Sequence, residues 1–252
     1  MIRYQIELTE EIKNIFRQKK VFLQRDKKFN RLDGNIKFLS DLKVEPYSQT
    51  VSSGGNLYTC GSFSYSLGAR LPLTTKIGRY CSIAPCTAFS PGRHDMRRFT
   101  TSPVALSNPT EIGIFADGKN MLNSVDFNEV RLPIVIENDV WIGKDVLIKP
   151  GVHIGNGAII GERTIVTRDV EPYSVVVGAP GTAKKLRFTD KEISSLIESE
   201  WWKYNYQDFR GINGNDDIEV FLDKFNDLKQ NNEIQPYEPI CLNASDIYNC
   251  GD

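Results

Sequence analysis

From Ile136 to Glu171 the chain repeats with a period of six: IENDVW, IGKDVL, IKPGVH, IGNGAI, IGERTI and VTRDVE follow one another without a slip. The first position is Ile136, Ile142, Ile148, Ile154, Ile160 and Val166, and the fifth is Val140, Val146, Val152, Ala158, Thr164 and Val170. A helix imposes a period of 3.6 and an independent amphipathic strand a period of 2, so neither produces this pattern. The second and third positions carry turn formers (Gly143, Lys149-Pro150, Gly155-Asn156), so each unit reads as a short strand plus a corner. Three units close a triangular coil. The first-position aliphatic then points inside and stacks on its equivalent one coil away, roughly 4.7–4.9 Å along the axis.

The same signature recurs upstream as LPLTTK from Leu71, IGRYCS from Ile77 and IAPCTA from Ile83, with Thr75, Cys81 and Thr87 at the fifth position. From Ile77 to Ile136 is 59 residues (136 − 77), or 9 × 6 + 5, so the two blocks are out of phase. Something between them must leave the repeat. The loop 89–135 contains His94 and has no hexad pattern, and long insertions in compact folds are usually functional. The expected organisation is an N-terminal extension (1–58), an all-β solenoid (59–188) interrupted by that loop, and a C-terminal helical cap and tail (189–252).

Thr189-Asp190-Lys191-Glu192 is a capping box before Ile193, Leu196 and Ile197, which predicts a helix. Its apolar face and Trp201-Trp202 are expected to cover the open end of the coil, since a solenoid needs its terminal layer capped. Asp216-Asp217 before Ile218, Phe221, Leu222 and Phe225 predicts a second helix, and Thr9 to Lys19 a third. Gln49 to Ser64 is Ser/Gly-rich, and the tail from Gln230 carries no readable pattern.

The net charge is −1 (31 basic against 32 acidic residues), so no overall basic field points to nucleic acid. The N-terminus lacks the apolar stretch of a secretory signal. The most apolar uncharged run, Pro172 to Ala183, is 12 residues long against the roughly 20 a bilayer requires, so no membrane insertion and a cytoplasmic location are expected. Five cysteines without a CxxC read as reduced thiols. Gly155-Asn156-Gly157 with Gly161 spells GxGxxxG, one residue out from a dinucleotide fingerprint, and those glycines already serve as corners.

Five strings carry a resemblance: IGRYCSIAP (Ile77 to Pro85), His94 followed by Thr100-Thr101-Ser102-Pro103, DVWIG (Asp139 to Gly143), IKPGVHIGNGAIIG, and GAPGTAKKLRF (Gly178 to Phe188). Over roughly residues 60 to 203 the chain resembles the hexapeptide-repeat acyltransferases. It is most similar to the branch holding the xenobiotic (chloramphenicol and streptogramin) acetyltransferases and the O-acetyltransferases of bacterial surface polysaccharides. The resemblance implies a left-handed parallel β-helix, a homotrimer, and acetyl-CoA lying between neighbouring subunits. It also implies a loop histidine acting as general base, and His94 is the match. Relatives often carry an acidic residue three after the histidine; here that place is Arg97, with Asp95 beside the histidine on the acceptor side. By the same resemblance Trp141, Gly143 and Lys144 line the pantetheine arm, Glu162 follows one corner, Thr167 and Arg168 form the next, and Lys185 reaches a phosphate. Thr182 stands where relatives usually have a basic residue.

Acetyl transfer from a thioester to a hydroxyl needs a base, and an imidazole of pKa about 6.5 suits neutral pH. The chain has two histidines, and His153 falls at a corner, where a surface role is expected. Two histidines cannot supply the three-histidine zinc site of carbonic anhydrases built on this β-helix, so no metal is expected. Cys81 sits at an inward small position, where a thiol packs as a hydrophobe rather than attacking as a nucleophile. The resulting expectation is an acetyl-CoA-dependent O-acetyltransferase acting on a sugar hydroxyl of a surface polysaccharide or its precursor. An antibiotic O-acetyltransferase, an amino-sugar N-acetyltransferase and a noncatalytic trimeric scaffold are the alternatives.

Overall fold

In the computed structural model, which describes residues 1–23, 34–51, 55–89, 96–97, 99–102 and 132–249, the hexads become short strands stacked in parallel on three faces. The first face runs through Lys43–Val44, Thr59–Cys60, Lys76–Ile77, Val135–Ile136 and His153–Ile154. Gln49–Val51, Tyr65–Leu67, Ser82–Ile83, Trp141–Ile142, Ile159–Ile160 and Ser174–Val177 make the second, and Ala88–Phe89, Leu147–Ile148 and Ile165–Val166 the third. Val135 pairs with His153, Trp141 with Ile159 and Leu147 with Ile165, so one coil is 18 residues (153 − 135). Lys76–Ile77 lies beside Val135–Ile136 in this ladder. The 59 residues between Ile77 and Ile136 therefore span one coil plus 41 (59 − 18), and the phase break is an insertion at a corner. Pro91–Leu132 forms one compact unit and Met1–Ser90 with Pro133–Asp252 another.

Inward and outward positions follow from the repeat. Every first-position residue from Ile136 to Val166 is buried, and so is every fifth-position residue from Val140 to Val170. The turning itself occurs one place later than expected: the fourth position adopts left-handed backbone at Asp139 (φ 56°), Asp145 (59°), Gly151 (83°), Gly157 (68°) and Arg163 (57°). Glycine has no Cβ to clash there, and aspartate is among the residues that tolerate the region best. Sixth positions point outward, and their chemistry differs by face. The second face carries Trp141 and Ile159, the third Leu147 and Ile165, whereas the first carries His153.

At the N-terminal end of the coil, α1 (Glu10–Gln18), capped by Thr9, buries Ile12 and Phe16 in the same core as Phe38 and Val44. Further on come α2 (Asp190–Ser199), with the expected capping box, α3 (Ile218–Gln230) and α4 (Ala244–Tyr248). The tail that carried no pattern returns to the first coil, where Leu242–Asn243 pairs antiparallel with Lys43–Val44 and α4 adds Ile247 to the core.

The expected cover for the open end is a correction. Leu196 of α2 packs with Tyr173 and Leu222, Trp201 lies 4.9 Å from the Tyr80 ring, and Ile197 stays largely exposed. These elements cover the corner between the first and second faces. That corner presents Tyr47, Phe63 and Tyr80 at the left-handed positions of three successive coils as a column of rings, with Tyr173 at the last coil beyond Asp139 and Gly157. Arg79 fastens the arm there. It donates to both Glu45 oxygens (2.6 and 2.9 Å) and to the carbonyls of Lys203 (3.1 Å) and Tyr237 (2.9 Å). The last coil ends instead on a cavity of about 270 Å³ lined by Val166, Val170 and Val176 with Thr167 and Arg168.

Candidate active site

On the second face the outward side chains form a row parallel to the coil axis. Tyr65, Ser82, Trp141, Ile159 and Val175 are successive partners, and the antiparallel strand Thr182–Leu186 adds Lys185 opposite Val175. Trp141 is 55% exposed and Tyr65 40%, so these rings lie open rather than covered by the chain's own helices. From Trp141 to Lys185 the row spans three strand spacings, roughly 14 Å. Its middle is apolar and its end is cationic.

Gly143, Lys144 and Glu162 stack on the corner between the second and third faces. The Arg163 N–H donates to the Lys144 carbonyl (2.9 Å), and a Cβ on Gly143 would stand 2.6 Å from the Glu162 nitrogen. Gly143 is thus required by coil spacing, whatever it contributes to a ligand. Thr167 and Arg168 do not join this group; they sit on the corner between the third and first faces, at the rim of the terminal cavity. Lys144, Glu162, Thr167, Arg168 and Lys185 are all exposed. Among the described residues, the side chains of Lys144, Arg168 and Lys185 form no ion pair, which leaves three cations available to phosphate groups.

His94 and Asp95 lie outside the described residues. His153 is half-exposed as expected, with Nε2 2.8 Å from Glu137 Oε1, while Glu137 Oε2 accepts the Asn156 N–H (2.9 Å). That pairing ties neighbouring coils together. Cys60, Cys81, Cys86 and Cys241 are free thiols, and burial pushes Cys81 up to about 12, which leaves it a packed, unreactive group. Among the described residues no group of His, Cys, Asp or Glu is arranged to hold a metal ion.

Two features of this site escape hexad reasoning. Arg187 pairs with Asp139 (2.9 Å) beside the row, a partnership between residues 48 apart that no local pattern encodes. The apolar middle of the row did leave a signal, since Ile159 and Val175 occupy outward positions where a solvated face would carry polar side chains.

Comparison with known proteins bears on these same residues. The model of the bacterial transferase hexapeptide (six repeats) matches residues 133–168. A chloramphenicol acetyltransferase from Klebsiella aerogenes is 55% identical over 73 residues, 29% of this chain and 35% of that protein. A probable macrolide acetyltransferase from Lysinibacillus sphaericus is 37% identical over 132 residues, 51% of this chain and 69% of that protein. A solved hexapeptide-repeat acetyltransferase from Vibrio cholerae aligns at 21% identity and a TM-score of 0.42, covering 73% of this chain and 96% of that one. The chain spans 33% to 59% of the length of four chloramphenicol acetyltransferases that it matches. With the hexads falling where the family model does, and one relative matched over more than two thirds of its length, the chain belongs to the hexapeptide-repeat acetyltransferase family.

Proposed function

We propose that the chain is an acetyl-CoA-dependent O-acetyltransferase with a left-handed coil. In this reading it works as a cytoplasmic homotrimer and acetylates a sugar hydroxyl of a bacterial surface polysaccharide or its precursor. The row on the second face carries the reading. An extended pantetheine arm needs an apolar track with a cation at the phosphate end, and Trp141, Ile159, Val175 and Lys185 provide that sequence of surfaces along one line. The assembly is supported by the outward chemistry. Two of the three faces are apolar, and a threefold ring joins two different faces of each subunit, burying both. Among the described residues no helix is long and apolar enough to cross a membrane.

In this mechanism the His94 imidazole takes the proton of the acceptor hydroxyl as its oxygen attacks the thioester carbonyl. The tetrahedral intermediate then collapses with cleavage of the C–S bond, and the proton passes to the departing thiolate of coenzyme A. A second reading, an antibiotic hydroxyl as acceptor, is favoured by the names of the relatives from Klebsiella aerogenes and Lysinibacillus sphaericus.

The test is thiol release from acetyl-CoA in the presence of a panel of sugars, glycans, chloramphenicol and a macrolide, with products weighed by mass spectrometry. Acetylation of a glycan hydroxyl supports the first reading and acetylation of the drugs the second. His94→Ala is expected to lose about 10²–10⁴-fold in kcat at unchanged acetyl-CoA affinity. No thiol release with any acceptor would overturn the proposal.

A further inference from the structure

The strand that carries Lys185 is irregular at that residue. Its register against Ser174–Val177 shifts between Val175 and Val176: Val176 faces Ala183, but Val175 faces Lys185, so Lys184 is an extra residue in the ladder. A bulge of this kind re-aims the neighbouring side chain and interrupts the hydrogen bonds that would otherwise hold it. The position of Lys185 then depends on what fixes the strand beyond the bulge.

Arg187 does that. Its N–H donates to the Tyr173 carbonyl (2.8 Å), and its guanidinium Nη1 donates to the Gly157 carbonyl (2.7 Å) and to Asp139 Oδ2 (2.9 Å). The guanidinium carbon lies 5.5 Å from the centre of the Tyr173 ring and 5.1 Å from that of Phe188. Tyr173, Gly157 and Asp139 are the left-handed residues of three successive coils at one corner, so the side chain runs along the axis like a strut. The bed is prepared for it: a Cβ on Gly157 would stand 2.3 Å from the Tyr173 ring. The strut begins two residues after Lys185 and ends two residues before Trp141, parallel to the row between them.

The geometry points to Arg187, held by Asp139, as a positioning residue for acetyl-CoA: it sets Lys185 at the phosphate end of the row that starts at Trp141. This rests on the reading of that row as the cosubstrate track. Asp139 is largely buried, and that burial raises its carboxyl above the ordinary value even with Arg187 alongside.

The experiment is a double-mutant cycle read by calorimetric binding of coenzyme A and by steady-state kinetics on Lys185→Ala, Arg187→Met and the double variant. Each single variant is expected to weaken coenzyme A and raise the acetyl-CoA KM about tenfold, with kcat at saturation and acceptor KM unchanged. Because Arg187 acts through Lys185, the double variant should also lose about tenfold rather than a hundredfold. Arg187→Lys keeps the charge but not the reach to both Gly157 and Asp139, and should fall between wild type and Arg187→Met. If Arg187→Met does not fold, Arg187→Lys carries the same cycle. An unchanged affinity in the Arg187 variants, or a hundredfold loss in the double variant, overturns the positioning role while leaving the cosubstrate track intact. Full affinity in Lys185→Ala overturns the role together with the phosphate contact, and a wild-type protein that binds no coenzyme A removes the track itself.

Discussion

Replacing Ile148 by alanine tests the register on which every later inference depends. Ile148 is fully buried on the third face, flanked by Phe89 one coil before and Val166 one coil after. The substitution removes three carbons, worth about 2.4 kcal/mol at about 0.8 kcal/mol each. Relaxation around the hole is restricted, because the strands on both sides are held in ladders: the Ala88 N–H donates to Val146 (2.9 Å) and the Leu147 N–H to Thr164 (2.9 Å). With the cavity left largely open, the total cost should reach about 3–5 kcal/mol. Ile165 is the control, one coil on and one position out of phase, 38% exposed on the same face; Ile165→Ala should cost about 1 kcal/mol or less in the isolated subunit. Urea titration followed by circular dichroism, at one fixed protein concentration so that association does not shift the apparent stability, gives both values. A loss below about 1 kcal/mol at Ile148 would show that the repeat is read one residue out of phase, since such a slip exchanges inward and outward side chains.

Two further expectations follow from named atoms. Gly143→Ala places a methyl 2.6 Å from the Glu162 nitrogen and 2.9 Å from its Cα, both backbone atoms that cannot swing away, and should lower the melting temperature by a cost of about 1–3 kcal/mol; an unchanged melt would contradict the coil spacing at that corner. Burial alone would push the Glu45 carboxyl up, but hydrogen bonds from Arg79 and the Ser62 N–H outweigh it and hold Glu45 below its ordinary 4.5. A depressed carboxyl stabilises the fold above its unfolded value and loses that contribution as pH falls through the folded one, so Glu45→Gln should flatten the stability loss as pH falls below 4.5, and identical acid limbs would refute the assignment.

The later coils were legible because their interior is aliphatic almost throughout; the first ones were hidden because serines interrupt theirs. Ser48 and Ser64 occupy the inward position that Val140 fills downstream, and Ser66 the one that Ile142 fills. Each hydroxyl is satisfied inside the coil: Ser48 donates to the Glu45 carbonyl (2.6 Å), Ser64 donates to Gly78 (2.7 Å) and accepts from the Cys81 N–H (2.9 Å), and Ser66 bonds the Tyr58 hydroxyl (2.7 Å). A hydrogen-bonded serine packs as well as a small aliphatic, yet it removes the hydrophobic signal from the sequence. Within that Ser/Gly-rich stretch, Gln49–Val51 and Thr59–Cys60 therefore proved to be strands of the same ladders. The helices were legible from their caps, since Thr9 and Thr189 announce α1 and α2 by local chemistry. Where α2 packs was not, because Tyr80 and Tyr173 come to one corner only once the coils are stacked and residues far apart in the chain share it.

The candidate site divides along the same line. Trp141 and Lys185 could be named from motifs, but that they close one row depends on the antiparallel return of Thr182–Leu186 and on a bulge at Lys184, neither of which has a local signature. Thr167 and Arg168, named by the same resemblance, lie a corner away at the rim of the terminal cavity. A single extended molecule cannot follow the second face and also enter that cavity without crossing the end of the coil. If Lys185 receives a phosphate, Thr167 and Arg168 of the same subunit are left to a different part of the ligand or to a neighbouring subunit.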